Sequence, residues 1–468
     1  MYEKTAPRGI SSRDLQPSTR PVSEPTPGGN GASGTVPPRP AVPRRPRARP
    51  ARPGVVEKAE ARRRPNLLIL GASGHVAQAF LLRLSRQRAG FGRLLLLDQS
   101  AEVLANAHLD HERLDYRFLH RPLSFPEDQV YYRELLRRHQ VDLVLDLTDQ
   151  DTLPILRATD AAGVSYVNTA LNDAHCGVAG MLERVQRTAE FTRRAPHILS
   201  AGMNPGIVNI WVWHGYRHYG TPARIVHFEY DTSTPATGWR PVITWSRKEF
   251  LAETVWEPTG AVVEGELELL ASPAIAHRES LKPILEPVLR LPSYPRGFLV
   301  LHEENLILGR QLVTSSKYLY AIHPRTMDYL EAVWRERGTV AIDDLEIADN
   351  ATVPLTGADT IGVCLDYPER RVYYLHSLAN PRVRGANATC AQVAVGVEAA
   401  LHTIRSDPLE PQIHFASDLY DTAYSQYVFQ HLDVAQIVFE KQDAALALKR
   451  RTARIGTPAG IPEAELAV

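Results

Sequence analysis

One feature restricts this chain more than any other. A short apolar run, Asn66-Leu67-Leu68-Ile69-Leu70, leads at once into Gly71-Ala72-Ser73-Gly74-His75-Val76-Ala77 and then an amphipathic stretch to about Arg86. Strand, tight glycine turn and helix in immediate succession are the first βα unit of an open parallel sheet. Gly71 permits the turn, Gly74 lets backbone approach a pyrophosphate, and the small Ala77 permits close packing of helix on strand. The helix N-terminus then turns free N–H groups and the positive end of its dipole toward an anion. The spacing is GxxGxxA, with Ser73 where the stricter form has glycine, so surroundings must support it.

They do. Leu94 to Leu97 form a second apolar run ending in Asp98, 24 residues after Gly74. An acid there accepts hydrogen bonds from ribose hydroxyls and repels a 2′-phosphate, which selects NAD over NADP. Strands are expected at 115–119, 141–147, 164–168 and near 197–200, with helices near 126–139, at 152–162 and at 177–193. This alternation implies parallel βαβ units. The cofactor set is Gly71, Ser73, Gly74, His75, Val76, Asp98 and Thr148, with His75 lining the loop and taking no part in chemistry.

Beyond Ala201 the texture changes. Gly202-Met203-Asn204-Pro205-Gly206-Ile207-Val208-Asn209 reads as a rigid loop at the carboxyl end of a strand, the edge where ligands bind in open α/β sheets. β-rich segments come next, at 227–230, 241–244 and 298–301. The expected architecture is α/β: a Rossmann-type parallel sheet over 65–203 with an inserted α+β substrate or dimerisation domain over 204–355. Residues 356–450 pack back on the core, and 451–468 form a flexible tail. Asn387 to about His402 reads as a helix on the nucleotide domain, with Cys390 in the core. Residues 419–450 read as further helical pattern, with Tyr420, Tyr424, Tyr427, Val428 and Phe439 facing a partner surface or capping the core.

Composition sets the remaining bounds. The 468 residues balance 53 Lys+Arg against 53 Asp+Glu, but residues 1–64 hold 12 of the 35 prolines and a net charge of +9, which leaves −9 on the rest. That Pro/Arg-rich segment lacks periodic apolar residues and is expected to be disordered. The acidic body attracts small cations and repels nucleic acid. No run of about 18 uncharged apolar residues appears, and no apolar leader, so neither a membrane span nor a secretory signal is expected. Three scattered cysteines without CxxC spacing argue against a disulfide framework or a zinc site, and a reducing cytoplasm is the default. No metal is expected.

A series of motifs in one order carries a resemblance. They are the Gly202–Asn209 loop, Phe228-Glu229-Tyr230-Asp231-Thr232, Thr244-Trp245-Ser246 with Phe250 and Glu253, Gly297 to His302, His323-Pro324, Asp359 to Val363, and Asn387-Ala388-Thr389. Over about residues 66–405 the chain resembles the saccharopine-dehydrogenase-like reductases, and within them the bacterial homospermidine synthases. The resemblance implies NAD as cofactor, a homodimer and a diamine or polyamine substrate. It also implies a redox-neutral reaction in which putrescine is oxidised to an imine, exchanges its amine and is reduced again by the same NADH. Glu229, Trp245, His302 and Asn204 fall on catalytic positions of that family. Glu253, Asp359 and Asn172 fall on substrate-binding positions, although the family has an acid where Asn172 stands, so Asp173 substitutes or the substrate carries one positive charge fewer.

The residue types suit such chemistry. An amine carbon loses hydride only when its nitrogen is neutral, so a base, Glu229 or His302, must take a proton. Carboxylates and the Trp245 face stabilise an iminium cation. Glu253 and Asp359 can anchor a distant ammonium, and Asn204 can orient the reacting nitrogen. Taken singly each has a plainer reading: Glu229 as the outward side of a strand, Trp245 as core, His302 as a strand-end surface group, Glu253 as a solvated helix face, Asp359 as a turn or N-cap. Two alternatives stay open: a net dehydrogenase of saccharopine or carboxynorspermidine type, and a non-catalytic NAD-binding protein.

Overall fold

The computed structural model describes residues 63–87, 90–189, 193–442, 445–452 and 454–455. The proline-rich segment, apart from Arg63 and Arg64, and the final tail beyond Ile455 lie outside the described residues.

The first half builds a parallel sheet from β1 (Leu67–Leu70), β2 (Leu94–Asp98), β3 (Tyr116–His120), β4 (Leu143–Asp146), β5 (Ser165–Asn168) and β6 (His197–Leu199). Its order, β6-β5-β4-β1-β2-β3, is that of the doubly wound nucleotide fold. β1, β4 and β5 are buried at every position, as the continuous apolar runs demand of strands covered on both faces. Helices α1 (His75–Arg86), α2 (Gln129–Arg138), α3 (Thr152–Ala161) and α4 (Val178–Ala189) supply the covering layers.

From Arg224 onward the chain builds a ten-stranded mixed sheet. Its centre is β7 (Arg224–Asp231), which pairs in parallel with β11 (Ser315–Ala321) and antiparallel with β12 (Ala358–Asp366). The hairpin β8 (Pro258–Val263) and β9 (Glu266–Pro273) closes one edge, and β10 (Arg296–Val300) joins β11 from the side. On the other side come β13 (Arg370–Ala379), β15 (Ala435–Gln442) and β16 (Ala445–Thr452). One further strand, β14 (Ile413–Phe415), returns to extend the first sheet beside β6. The helical reading of 419–450 therefore holds only for Ala423–His431, since the chain then turns into the β15–β16 hairpin. Of the side chains expected to face a partner or cap the core, Tyr424, Val428 and Phe439 are buried, which fits capping. Gln436, Ile437, Val438 and Phe439 are buried in succession, as in a strand covered on both faces.

Helices α5 (Ile207–Tyr219), α6 (Arg247–Leu251), α7 (Glu303–Gln311) and α8 (Ala388–Ser406) tie the sheets together. Asn387 caps α8 by accepting the Cys390 N–H at 2.8 Å, and its amide donates to the Ala348 carbonyl at 2.9 Å. Cys390 is buried, and burial holds its thiol well above the ordinary range, so it is core. α8 packs on the nucleotide half as its small residues suggest, with Arg83 of α1 paired to Glu398 at 2.7 Å. Its Gly396 sits so close to the Gly202 loop that a Cβ there would meet the Gly202 carbonyl oxygen at 2.2 Å. Gly396→Ala is therefore expected to cost about 1–3 kcal/mol through overpacking, read as a lower Tm, and to disturb the loop that carries Asn204.

Candidate active site

The glycine turn is built as the sequence requires. Gly71 adopts φ +73°, and a Cβ there would meet the Leu147 carbonyl oxygen at 2.7 Å. No side chain caps α1, its first turn has no acid, and Gln78 is the first N–H to find a helical acceptor, the Gly74 carbonyl. The free end of α1 opens on a cleft of about 610 Å³ lined by Gly71, Ser73, Gly74, His75, Val76, Asp98 and Thr148, the whole of the expected cofactor set. Its donor groups and open glycine face fit a dinucleotide pyrophosphate.

The Asp98 carboxylate is engaged within the loop itself. One carboxylate oxygen accepts the Ser73 N–H and the other the Ser100 N–H, both at 2.8 Å, while the Ser73 hydroxyl donates to the Ser100 carbonyl at 2.7 Å. The acid thus stitches the glycine loop to the end of β2. His75 lies 3.5 Å from Asp349, and Thr148 hydrogen-bonds Asp146 through backbone and hydroxyl. Asn172 lines the same cleft and donates to the Thr148 carbonyl at 3.0 Å. Asp173 does not line it; its carboxylate is ion-paired with Arg184.

Trp245 lines this cleft too, and behind it lies a second, buried array. Period two puts His227, Glu229 and Asp231 on one face of β7, where the register sets Glu229 beside Tyr320 of β11 and Asp231 beside Asp359 of β12. The Trp245 indole donates to the Tyr320 hydroxyl at 3.2 Å, and the Tyr320 ring stacks on Tyr318 at 5.9 Å. Tyr318 donates to Glu229 Oε2 at 2.7 Å, and Asn204 Nδ2 reaches the same oxygen at 2.6 Å. Glu229 is 3% exposed, so the reading of an outward-facing strand position is replaced by an inward one. Burial pushes its carboxyl up to about 7, against the pull of those two hydrogen bonds.

His302 stands at the start of α7, its ring 5.5 Å from that of Tyr318. Its Nε2 faces Glu253 at 3.2 Å, and its Nδ1 faces Glu303 at 3.4 Å and also Glu304. Burial opposes a charge on the ring, but the carboxylates of Glu304, Glu253 and Glu303 prevail and hold its pKa well above the usual imidazole value. His302, Glu303 and Glu304 bring possible ligand atoms within 4.8 Å of one another, a proximity that residue spacing did not suggest. Each ring nitrogen already faces a carboxylate, and this arrangement is an ion-paired imidazolium. Glu253 reaches it because α6 widens into a π-turn over Ala252–Trp256, a distortion frequent at functional sites.

Asp359 is wholly buried; Oδ2 accepts from Thr389 at 2.8 Å and Gln392 at 2.9 Å, while Oδ1 has no partner. Burial, with Glu229 and Asp231 adding to it, holds this carboxyl well above the ordinary carboxylate range. Tyr318, Tyr320, Asp231, Glu303 and Glu304 escaped sequence reasoning as site residues. The alternation Tyr318-Leu319-Tyr320 in a strand was the available signal for the first two.

Residues 67–200 match the family model of the saccharopine dehydrogenase NADP binding domain. This segment is thus similar to an NAD(P)-binding domain. Among solved structures, the chain is similar to homospermidine synthase from Legionella pneumophila in complex with NAD, with a TM-score of 0.63 and 15% identity over 78% of this chain and 88% of that one. At that identity the likeness establishes a shared fold. Weaker superpositions include an amine dehydrogenase from Mycobacterium smegmatis (TM-score 0.34, 11% identity, 76% and 95% coverage). Another is myo-inositol 2-dehydrogenase from Lactobacillus plantarum (TM-score 0.32, 9% identity, 78% and 88% coverage). No curated protein matches the sequence. Among the described residues no helix is long and apolar enough to cross a membrane.

The buried acid makes a pH prediction. Glu229 binds a proton more tightly folded than unfolded, so its contribution to stability falls as pH rises from about 4.5 to about 7 and is level above that. Relative to wild type, Glu229→Gln should gain stability between pH 5 and pH 8, by at most about 3 kcal/mol, in paired thermal melts. A pH-independent difference would mean that Glu229 is not held in the environment described.

Proposed function

We propose that this chain is an NAD-dependent enzyme acting on a diamine or polyamine, with homospermidine-synthase-like aminobutyl transfer as its reaction. One observation carries the reading: a group of buried carboxylates is linked through Tyr318 and Tyr320 to Trp245, which also lines the dinucleotide cleft. Buried acids cost free energy unless a cation compensates them. Here His302 is the cation paired with Glu253, Glu303 and Glu304, which leaves room for a positively charged substrate.

Gly71, Ser73, Gly74, His75 and Val76 would hold the dinucleotide by its pyrophosphate, and its nicotinamide, when bound, would supply the hydride acceptor and donor. The protein's own groups manage charge and protons. Glu229 takes a proton from the substrate ammonium, since both of its hydrogen bonds fall on Oε2 and leave Oε1 for the transfer. A carboxyl poised near 7 suits that exchange at neutral pH. Loss of hydride from the adjacent carbon gives an iminium, sheltered by the faces of Trp245 and Tyr320 and by nearby carboxylate charge. A second amine adds to this carbon, ammonia leaves, and hydride returns to the new iminium, so two putrescines give homospermidine and ammonia without net redox change. His302, already protonated, serves as a fixed cation that organises its three carboxylates, and Glu229 is the base. Asp173 is ion-paired with Arg184 and does not replace the acid missing at Asn172, so the outer end of the substrate meets less negative charge here than the resemblance implies. Asp98 at the β2 end favours NAD.

The test is incubation with putrescine and NAD+, following product mass, ammonia and nicotinamide absorbance together. Homospermidine and ammonia with little lasting absorbance change support transfer, whereas stoichiometric NADH indicates a net dehydrogenase. Trp245→Ala and Glu229→Gln should each lower turnover at least about 100-fold with NAD+ affinity retained. Equal loss of NAD+ binding would remove both from the substrate side of the site.

A further inference from the structure

We propose that Lys248 is a pyrophosphate-binding residue of the dinucleotide cleft, and that Asp149 competes with the pyrophosphate for it. This rests on the dinucleotide reading of the cleft and is independent of the amine chemistry. Lys248 is the second residue of α6, three beyond Trp245, and it lines the same cleft as Gly71 to Val76. Its ammonium is held by the Asp149 carbonyl at 3.1 Å and carboxylate at 3.2 Å, with Glu249 at 3.5 Å. The contact spans the cleft from the segment following β4 to the first turn of α6.

The other cations that line the cleft are committed. Arg247 donates to the Leu345 carbonyl at 3.1 Å and the Ile342 carbonyl at 3.4 Å, with Asp343 at 3.6 Å. Arg121 lies over the Tyr131 ring at 3.8 Å and pairs with Asp128, and His75 faces Asp349. Lys248 is held by a pair in which both side chains are about half exposed, 48% and 56%, and such pairs contribute little to stability. Moving its flexible stem from Asp149 to a phosphate therefore costs little. The pyrophosphate diester carries a charge on each phosphate, while the end of α1 offers the equivalent of roughly half a positive charge. A mobile ammonium in the same cleft supplies the missing compensation and draws α6, and with it Trp245, toward the bound dinucleotide.

The test uses the full chain, with ADP-ribose and adenosine as probes that differ in the pyrophosphate. Calorimetric titration of Lys248→Met should show ADP-ribose and NAD+ bound roughly tenfold more weakly, adenosine unchanged, and a shallower dependence of ADP-ribose affinity on salt. Asp149→Asn, which removes the competing carboxylate, should tighten ADP-ribose. Opposite signs for the two variants support the proposal. Loss of ADP-ribose affinity in both would make the pair a structural bridge and overturn it, as would an unchanged Lys248→Met or an equal loss of adenosine. Failure of the wild-type chain to bind ADP-ribose would remove the dinucleotide reading of the cleft as well.

Discussion

Carboxylates gathered in a protein interior repel one another and lose their hydration, so an arrangement that keeps them needs hydrogen bonds, a counter-cation or protons. All three are present behind Trp245. Glu229 is held by Asn204 and Tyr318, Asp359 by Thr389 and Gln392, and His302 pairs with Glu253, Glu303 and Glu304. Compensation is nevertheless incomplete, since an oxygen of Asp359 and one of Glu304 have no partner. The pKa values of Glu229, Asp231 and Asp359 are raised, burial being the largest cause in each. The proposed function uses this interior to exchange protons for an organic cation.

The fold divides the work between its two large sheets. The parallel sheet offers a helix end and a glycine turn, fixed by the Asp98 bridge between Ser73 and Ser100. The mixed sheet offers a rigid face on which three adjacent strands set polar side chains in register. The Gly202–Asn209 loop joins them. Its Gly206 N–H donates to Asn209 at 3.0 Å, and α8 packs against it at Gly396, so Asn204 reaches Glu229 from a fixed support. Trp245 belongs to both regions, since it lines the cleft with its ring and bonds Tyr320 with its indole nitrogen. In the proposed reaction, that shared residue connects chemistry at the dinucleotide with a group in the acidic interior.

Much of the first sheet was legible because its signals are local. Apolar runs such as Leu67–Leu70 and Leu143–Asp146 are buried on both faces, and a glycine turn has few alternatives. The residues that line the cleft beside the glycine turn were legible for the same reason. Glu229 and Trp245 were found through the order of motifs; alternation alone would have turned Glu229 outward, because period two cannot say which face of a strand is covered. Tyr318 and Tyr320 were missed since their value comes from β7, a parallel neighbour distant in the chain. The β15–β16 hairpin was read as helix: apolar spacing in a short stretch satisfies either period until the pairing with β13 decides it. Glu253 looked solvated because an ordinary helix was assumed where the chain forms a π-turn.

The most direct measurement is a crystal structure of the chain with NAD+ and 1,4-diaminobutane. The account predicts the pyrophosphate at the α1 N-terminus, the nicotinamide beside Trp245, and one amine nitrogen within hydrogen-bonding distance of Glu229 on the inner side of the tryptophan. A dinucleotide in the cleft with the diamine bound elsewhere, and the acidic interior filled only by water, would contradict it.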